Sequence, residues 1–97
     1  MIGGINLFKI TLLSSNNFLT NSIKNICIKN NLDIEIFKEF HMPKKNKTLI
    51  LIDIDSINYS ELLKENNYNR FFFVFISRSE NNQLTDRFQD NSIFVKK

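Results

Sequence analysis

Two runs of consecutive apolar residues constrain the fold of this chain more than any other feature. They read TLILI at residues 48–52 and FFFVFI at residues 71–76. A strand is apolar on both faces where helices cover both sides of a parallel sheet, whereas a strand with one solvated face alternates apolar and polar residues. The runs therefore predict two interior strands that lie side by side in a parallel sheet.

Three further segments have the length and pattern of strands. Residues 8–13 (FKITLL) form a short apolar run that leads into the polar group SSNN, and residues 92–95 (SIFV) form another. Residues 33–37 (DIEIF) place Ile34 and Ile36 on one side, as expected for a half-exposed strand at the margin of a sheet. Together with the two apolar runs, these segments predict five strands.

Helical patterns separate most of these strands. Ser15 or Asn16 is a suitable N-cap for a first helix, because its side-chain oxygen can accept an N–H group of the first turn. The predicted apolar stripe of this helix consists of Phe18, Leu19, Ser22, Ile23, Ile26 and Cys27. Shorter helical patterns cover residues 57–65 and 84–88. The stretch 41–47 holds the only proline and is predicted to be a loop.

The length and the order of elements define the fold class. A chain of 97 residues corresponds to one domain, residues 1–97, because domains of this size usually have a single core. Its 42% hydrophobic content, with ten phenylalanines, is sufficient for that core. The order β-α-β-β-α-β-α-β is typical of an α/β protein with an open, doubly wound, mostly parallel sheet. We therefore expect a five-stranded sheet of this kind.

Four strings occur in an order that is known from one protein family. ITLLSSNNFLTNSI joins an apolar strand to an aliphatic helix, TLILID ends in Asp53, FFFVFIS ends in Ser77, and IFVK ends in Lys96. In order and spacing they resemble the receiver domains of bacterial response regulators, especially those of LuxR-type transcription factors. The resemblance implies the strand order 2-1-3-4-5. It also implies a phosphoacceptor at Asp53, a switch residue at Ser77 and the family's lysine at Lys96.

The chain departs from the receiver pattern where that family holds magnesium. Ser14 and Ser15 stand in place of a pair of acids, and Mg²⁺ is usually held by carboxylates, waters and phosphate. We therefore expect no metal, no cofactor and no catalysis at this position, and an ion pair between Lys96 and Asp53. The predicted vestigial pocket consists of Ser14, Ser15, Asp53, Asp55, Ser77 and Lys96.

A second departure concerns the helices. The loop around Pro43 takes the place of a second helix, and no fifth helix follows the last strand, so the expected fold is a truncated receiver. A parallel sheet that lacks covering helices exposes an apolar face, which is a candidate interaction surface. We expect this surface to include Phe18, Ile93, Phe94 and Val95. The expected partner is a second copy of the chain or another regulator protein.

Charge and cysteine content bear on other classes of function. The net charge is +3, and lysines cluster at positions 44, 45 and 47. A nucleic-acid surface usually places aromatic residues among the basic ones, whereas the aromatic residues of this chain lie in the apolar runs. The single cysteine, Cys27, excludes an intramolecular disulfide, and no leader or membrane span is recognisable. These features predict a cytoplasmic protein without direct contact with membrane or nucleic acid.

The sequence thus predicts a regulatory domain that acts in transcriptional regulation through protein contacts and is independent of phosphorylation. Two alternatives stay open. One is a functional receiver that is phosphorylated on Asp53. The other is a small basic protein that binds nucleic acid through its clustered lysines together with Lys96 and Lys97.

Overall fold

Five parallel strands form one sheet in the computed structural model, which describes residues 9–43, 48–64, 68 and 71–97. The strands are β1 (Lys9–Leu13), β2 (Asp33–Phe37), β3 (Thr48–Asp53), β4 (Phe72–Ser77) and β5 (Ser92–Lys96). The helices are α1 (Asn17–Lys29), α2 (Asn82–Arg87) and a 3₁₀ helix, Ser60–Leu63, within the predicted helix 57–65. The strand order is β2-β1-β3-β4-β5, and every pairing is parallel. Both the fold class and the order 2-1-3-4-5 are confirmed.

The two apolar runs lie side by side in the interior of the sheet, as predicted. β3 pairs with β4 from Leu49 opposite Phe72 to Asp53 opposite Ile76. β1 lies between β2 and β3, so the chain order reverses at β1. In open sheets of this kind, ligands bind at the carboxyl ends of the strands where the order reverses. Asp53 is at that position.

Helix α1 begins where the sequence predicts it. Asn16 is the N-cap, and its side chain accepts the N–H of Leu19 at 3.1 Å. The buried stripe is narrower than predicted, however: Cys27 is buried, while Phe18 and Ile26 are 83% and 58% exposed. The helix contacts the sheet along one side only, and these two side chains lie outside that line of contact. The helix ends at Asn30, before Asn31 adopts a positive φ of 56°, which asparagine tolerates better than most residues.

One face of the sheet carries the main hydrophobic core. The 3₁₀ helix and α2 cover this face and contribute Leu62, Leu84 and Phe88, each at most 1% exposed. The core consists of Leu13, Ile50, Ile52, Ile54, Ile57, Leu62, Phe71, Phe73, Phe75, Leu84 and Phe88. The connection from β2 to β3 holds no helix in its described part, residues 38–43. Its residues Phe40 and Met42 pack against the core instead.

The opposite face is only partly covered. Ile10 and Leu12 of β1 are buried on this face, where α1 packs near β2. Over the other strands several outward apolar side chains are exposed or half-buried, and we call this region the open face. It consists of the outward side chains of β3, β4 and β5: Leu49, Leu51, Phe72, Val74, Ile93 and Val95. The described helices include none that is long and apolar enough to cross a membrane.

Candidate functional site

The carboxyl ends of four strands bring a group of polar side chains together. Ser14 follows β1, Asp53 ends β3, Ser77 ends β4 and Lys97 follows β5. These ends lie next to one another because the strands are parallel and in register. Asp53 and Lys97 line an open depression together with Asn16, Asp55, Ser56, Arg78 and Ser79.

Asp53 is fully buried at the centre of this group. Its Oδ2 accepts the hydroxyls of Ser14 at 2.9 Å and Ser56 at 3.0 Å. Its Oδ1 accepts the Lys97 ammonium at 2.6 Å and the backbone N–H of Asp55 at 3.3 Å. A carboxylate offers about four acceptor positions, and all of them are used here. Burial of this charge is possible because each position has a donor.

Lys97 bridges the two carboxylates of the site. Its Nζ lies 2.6 Å from Asp53 and 3.2 Å from Asp55, and its side chain is 18% exposed. Burial lowers the pKa of this ammonium, but the hydrogen bonds and charges of Asp53 and Asp55 outweigh that effect, so the pKa lies above its usual value. The cation thus stays protonated between the two acids at neutral pH.

Asp55 is held mainly by β4. The Ser77 hydroxyl donates to its Oδ1 at 2.6 Å and the Arg78 N–H to its Oδ2 at 2.9 Å. The Ser77 hydrogen bond is the largest influence on the pKa of Asp55; together with Arg78 and Lys97 it outweighs partial burial and lowers that pKa. Asp55 is therefore an ionised structural acceptor.

The prediction for the lysine was wrong by one residue. Lys96 is the last residue of β5, opposite Ser77, and it is exposed. The alternation of β5 puts Ile93, Val95 and Lys97 on the side of Asp53 and directs Lys96 to the other side. Lys97 is tied down further by its backbone N–H, which donates to the Ser77 carbonyl at 2.8 Å. The pocket lysine is thus Lys97.

Ser56 is a member of the site that the sequence reasoning missed, whereas Ser15 lies at the rim. Ser15 is exposed and donates its backbone N–H to Ser56 Oγ at 3.1 Å. Ser56 in turn reaches Asp53, three residues earlier in the turn after β3. A serine three residues after an aspartate at a strand end is a local signal for this type of side-chain contact.

Comparison with protein-family models, curated proteins and solved structures gave no match. What the site can do therefore has to be judged from its own geometry.

The site is poorly suited to bind a metal ion or to accept a phosphoryl group as it stands. Its two carboxylates both contact Lys97, and the described residues contain no group of three or more His, Cys, Asp or Glu that could hold a metal. A nucleophilic carboxylate needs a free oxygen that faces the donor, but both oxygens of Asp53 are buried and hydrogen-bonded.

The predicted interaction surface is placed as follows. Ile93 and Val95 are 52% and 43% exposed on the open face, and Phe18 is exposed on α1. Phe94 was assigned wrongly, because it points to the other side of β5 and packs against the main core. A strand alternates its side chains between the two faces, so three consecutive residues cannot all belong to one surface.

The remaining predictions concern the lysines of the proposed nucleic-acid set and the single cysteine. The lysine cluster 44, 45 and 47 lies outside the described residues, and Lys97 is engaged by two acids, which leaves Lys96 as the exposed described lysine of the proposed nucleic-acid set. Cys27 is a buried free thiol, and burial raises the pKa of that thiol. A thiol of raised pKa is a poor nucleophile at neutral pH.

Proposed function

We propose that this chain is a small regulatory domain that binds a protein partner and is not switched by phosphorylation. The observation that carries the proposal is the open face. Three strands present apolar side chains there, and soluble monomers rarely leave such a patch without a function. Phe72, Ile93 and Val95 are each more than 40% exposed on it.

The pocket supports independence from phosphate. In phosphoryl transfer a bound divalent cation neutralises the charge on the phosphoryl group, and here Lys97 lies between Asp53 and Asp55. Phosphorylation of Asp53 would require that Lys97 leave Oδ1 or that the Ser14 and Ser56 hydroxyls leave Oδ2. The hydrogen bonds of a buried charged group are costly to break, so the contacts of Asp53 favour a domain whose state does not change with phosphorylation.

The setting that we propose is bacterial transcriptional regulation in the cytoplasm, without catalysis. The basis is the resemblance of the strings ending in Asp53 and Ser77 to receiver domains of LuxR-type regulators. The free thiol of Cys27 suits a reducing compartment. A domain of this kind modulates a regulator by contact and does not read DNA itself. Its described helices are limited to α1, the six-residue α2 and the 3₁₀ helix.

A phosphodonor experiment tests the proposal. The chain is incubated with a small phosphodonor and Mg²⁺, its intact mass is recorded, and its association state is measured with and without the donor. We expect no phosphoryl adduct and no change in association. An adduct that peptide mapping locates on Asp53 would show a functional receiver instead. Asp53→Asn is the matched control, because the amide keeps the shape of the side chain and cannot form an acyl phosphate.

A further inference from the structure

We infer that the open face pairs with the open face of a second copy of this chain, so that the protein forms a symmetric dimer. This inference rests on the proposed function, because it names the partner of the same surface. Three properties of the surface point to a second copy: its apolar area, the absence of charge at its centre, and the space that α1 leaves over the sheet.

The apolar area of the open face matches one side of a dimer interface. Phe72, Ile93 and Val95 are 42%, 52% and 43% exposed, and Ile26 on α1 is 58% exposed. At roughly 200 Å² for a large apolar side chain, these four present about 400 Å² of surface. Half-buried side chains of the same face add to this area: Leu49, Leu51 and Val74. A standard interface buries about 800 Å² per partner, of which about 65% is apolar in homodimers, or about 500 Å².

The centre of the open face suits a two-fold axis. An axis of this kind places the same residues of both copies close together, so a charge near it would be repelled by its own counterpart. β4, the middle one of the three strands of the open face, presents Phe72 and Val74, and neither is charged. Lys97, at the end of β5, is neutralised by the acids of the pocket. The face therefore favours a neutral, self-complementary partner over an acidic or basic one.

The position of α1 determines how a second sheet can pack. α1 lies on the same side over β1 and β2, and packed sheets are about 10 Å apart, so a second sheet fits over β3, β4 and β5 beside the helix. If the two-fold axis runs parallel to β4 and between the two sheets, the β4 strands face each other and each β5 lies over the β3 of the other copy. The right-handed β1-α1-β2 crossover turns the side of α1 that carries Ile26 toward β3. Ile26 then borders the edge strand of the second copy.

Sedimentation equilibrium of the purified chain over a range of concentrations tests the inference. We expect a dimer for the wild type. Ile93→Lys and Phe72→Lys each place a charge in the paired surface on both copies, and we expect either change to raise the dissociation constant at least about 100-fold. Both residues are partly exposed, so the variants should fold, which circular dichroism can verify. Ile28→Lys is the matched control: Ile28 is 60% exposed and lies about 200° around α1 from Ile26, so its dimer should persist.

Each other outcome would overturn the inference. A wild type that stays monomeric at all concentrations excludes self-pairing; if it binds a different protein through the open face, the proposed function stands and only the partner is wrong. If Ile93→Lys separates the copies but Phe72→Lys does not, pairing runs through the free edge of β5 and not through the face. A phosphoryl adduct on Asp53 would contradict the proposed function independently of the association state.

Discussion

Replacing Lys97 by methionine isolates the contribution of the ion pair in the pocket. Methionine keeps most of the side-chain stem and removes the charge that lies 2.6 Å from Asp53. Asp53 is then a fully buried carboxylate with the hydroxyls of Ser14 and Ser56 and one backbone N–H as its remaining donors. Loss of one partner from a buried pair costs about 3–5 kcal/mol, and the three remaining hydrogen bonds bring our expectation to the lower end, about 3 kcal/mol at pH 7.

Urea unfolding at pH 7, followed by circular dichroism, measures the effect. A chain of this length has a free energy of unfolding of roughly 5–15 kcal/mol, so the variant should still fold. The control is Lys96→Met, which removes the same charge from an exposed position and should change stability by no more than about 0.5 kcal/mol. Asp53→Asn combined with Lys97→Met should recover most of the loss. Equal effects of Lys97→Met and Lys96→Met, or a double variant that recovers none of the loss, would refute the reasoning.

Three further predictions concern stability. Phe88→Ala should lower the free energy of unfolding by about 3–5 kcal/mol in urea titrations, because Phe88 is 1% exposed and its ring lies 4.9 Å from that of Phe73; a loss below 1 kcal/mol would contradict this packing. The buried hydroxyl of Thr11 has no hydrogen-bond partner in the described part of the chain. Thr11→Val should therefore raise the free energy of unfolding by about 1 kcal/mol and with it the thermal midpoint. A lower midpoint would show that the hydroxyl has a hydrogen-bond partner. The pKa of Asp55 is lowered in the folded state, so this group stabilises the fold above the ordinary carboxyl pKa, and its contribution is lost as the pH falls through the lowered value. The pKa of Lys97 is raised, so this group stabilises the fold below the ordinary lysine pKa, and its contribution is lost as the pH rises through the raised value. Stability should thus be level between these limits and decline on both sides, which unfolding at pH 2 to 12 can check.

The sheet could be predicted from the sequence because its signals are local and strong. An apolar run such as FFFVFI has few alternatives to an interior strand, and two such runs were predicted to lie side by side in a parallel sheet, as β3 and β4 do. The apolar stripe of α1 was harder to predict. Phe18 lies about 180° and Ile26 about 100° around α1 from Cys27, so the predicted stripe was as wide as half the helix, and of these three residues only Cys27 is buried. The width of a buried stripe depends on what packs over the helix and not on the helix itself.

The pocket shows where reasoning from sequence fails at the level of single residues. The predicted strand 92–95 ends one residue before β5 does. Because side chains alternate along a strand, an error of one residue exchanges every side chain between the two faces. Lys96 was assigned to the pocket from the family pattern, one position before the lysine whose side chain lies on the side of Asp53. Phe94 was assigned to the surface together with both of its neighbours, although side chains alternate along a strand. The end of a strand is set by its hydrogen bonds to the neighbouring strand, which no local pattern specifies.

The pocket and the open face are joined through one strand. The side of β5 that carries Ile93 and Val95 on the open face carries Lys97 in the pocket. β5 is an edge strand that is paired on one side only, and its end is fixed by the Lys97 backbone hydrogen bond to Ser77 and by the ion pair with Asp53. The acids of the pocket thus help to fix the end of the edge strand whose other side chains, Ile93 and Val95, are exposed on the open face.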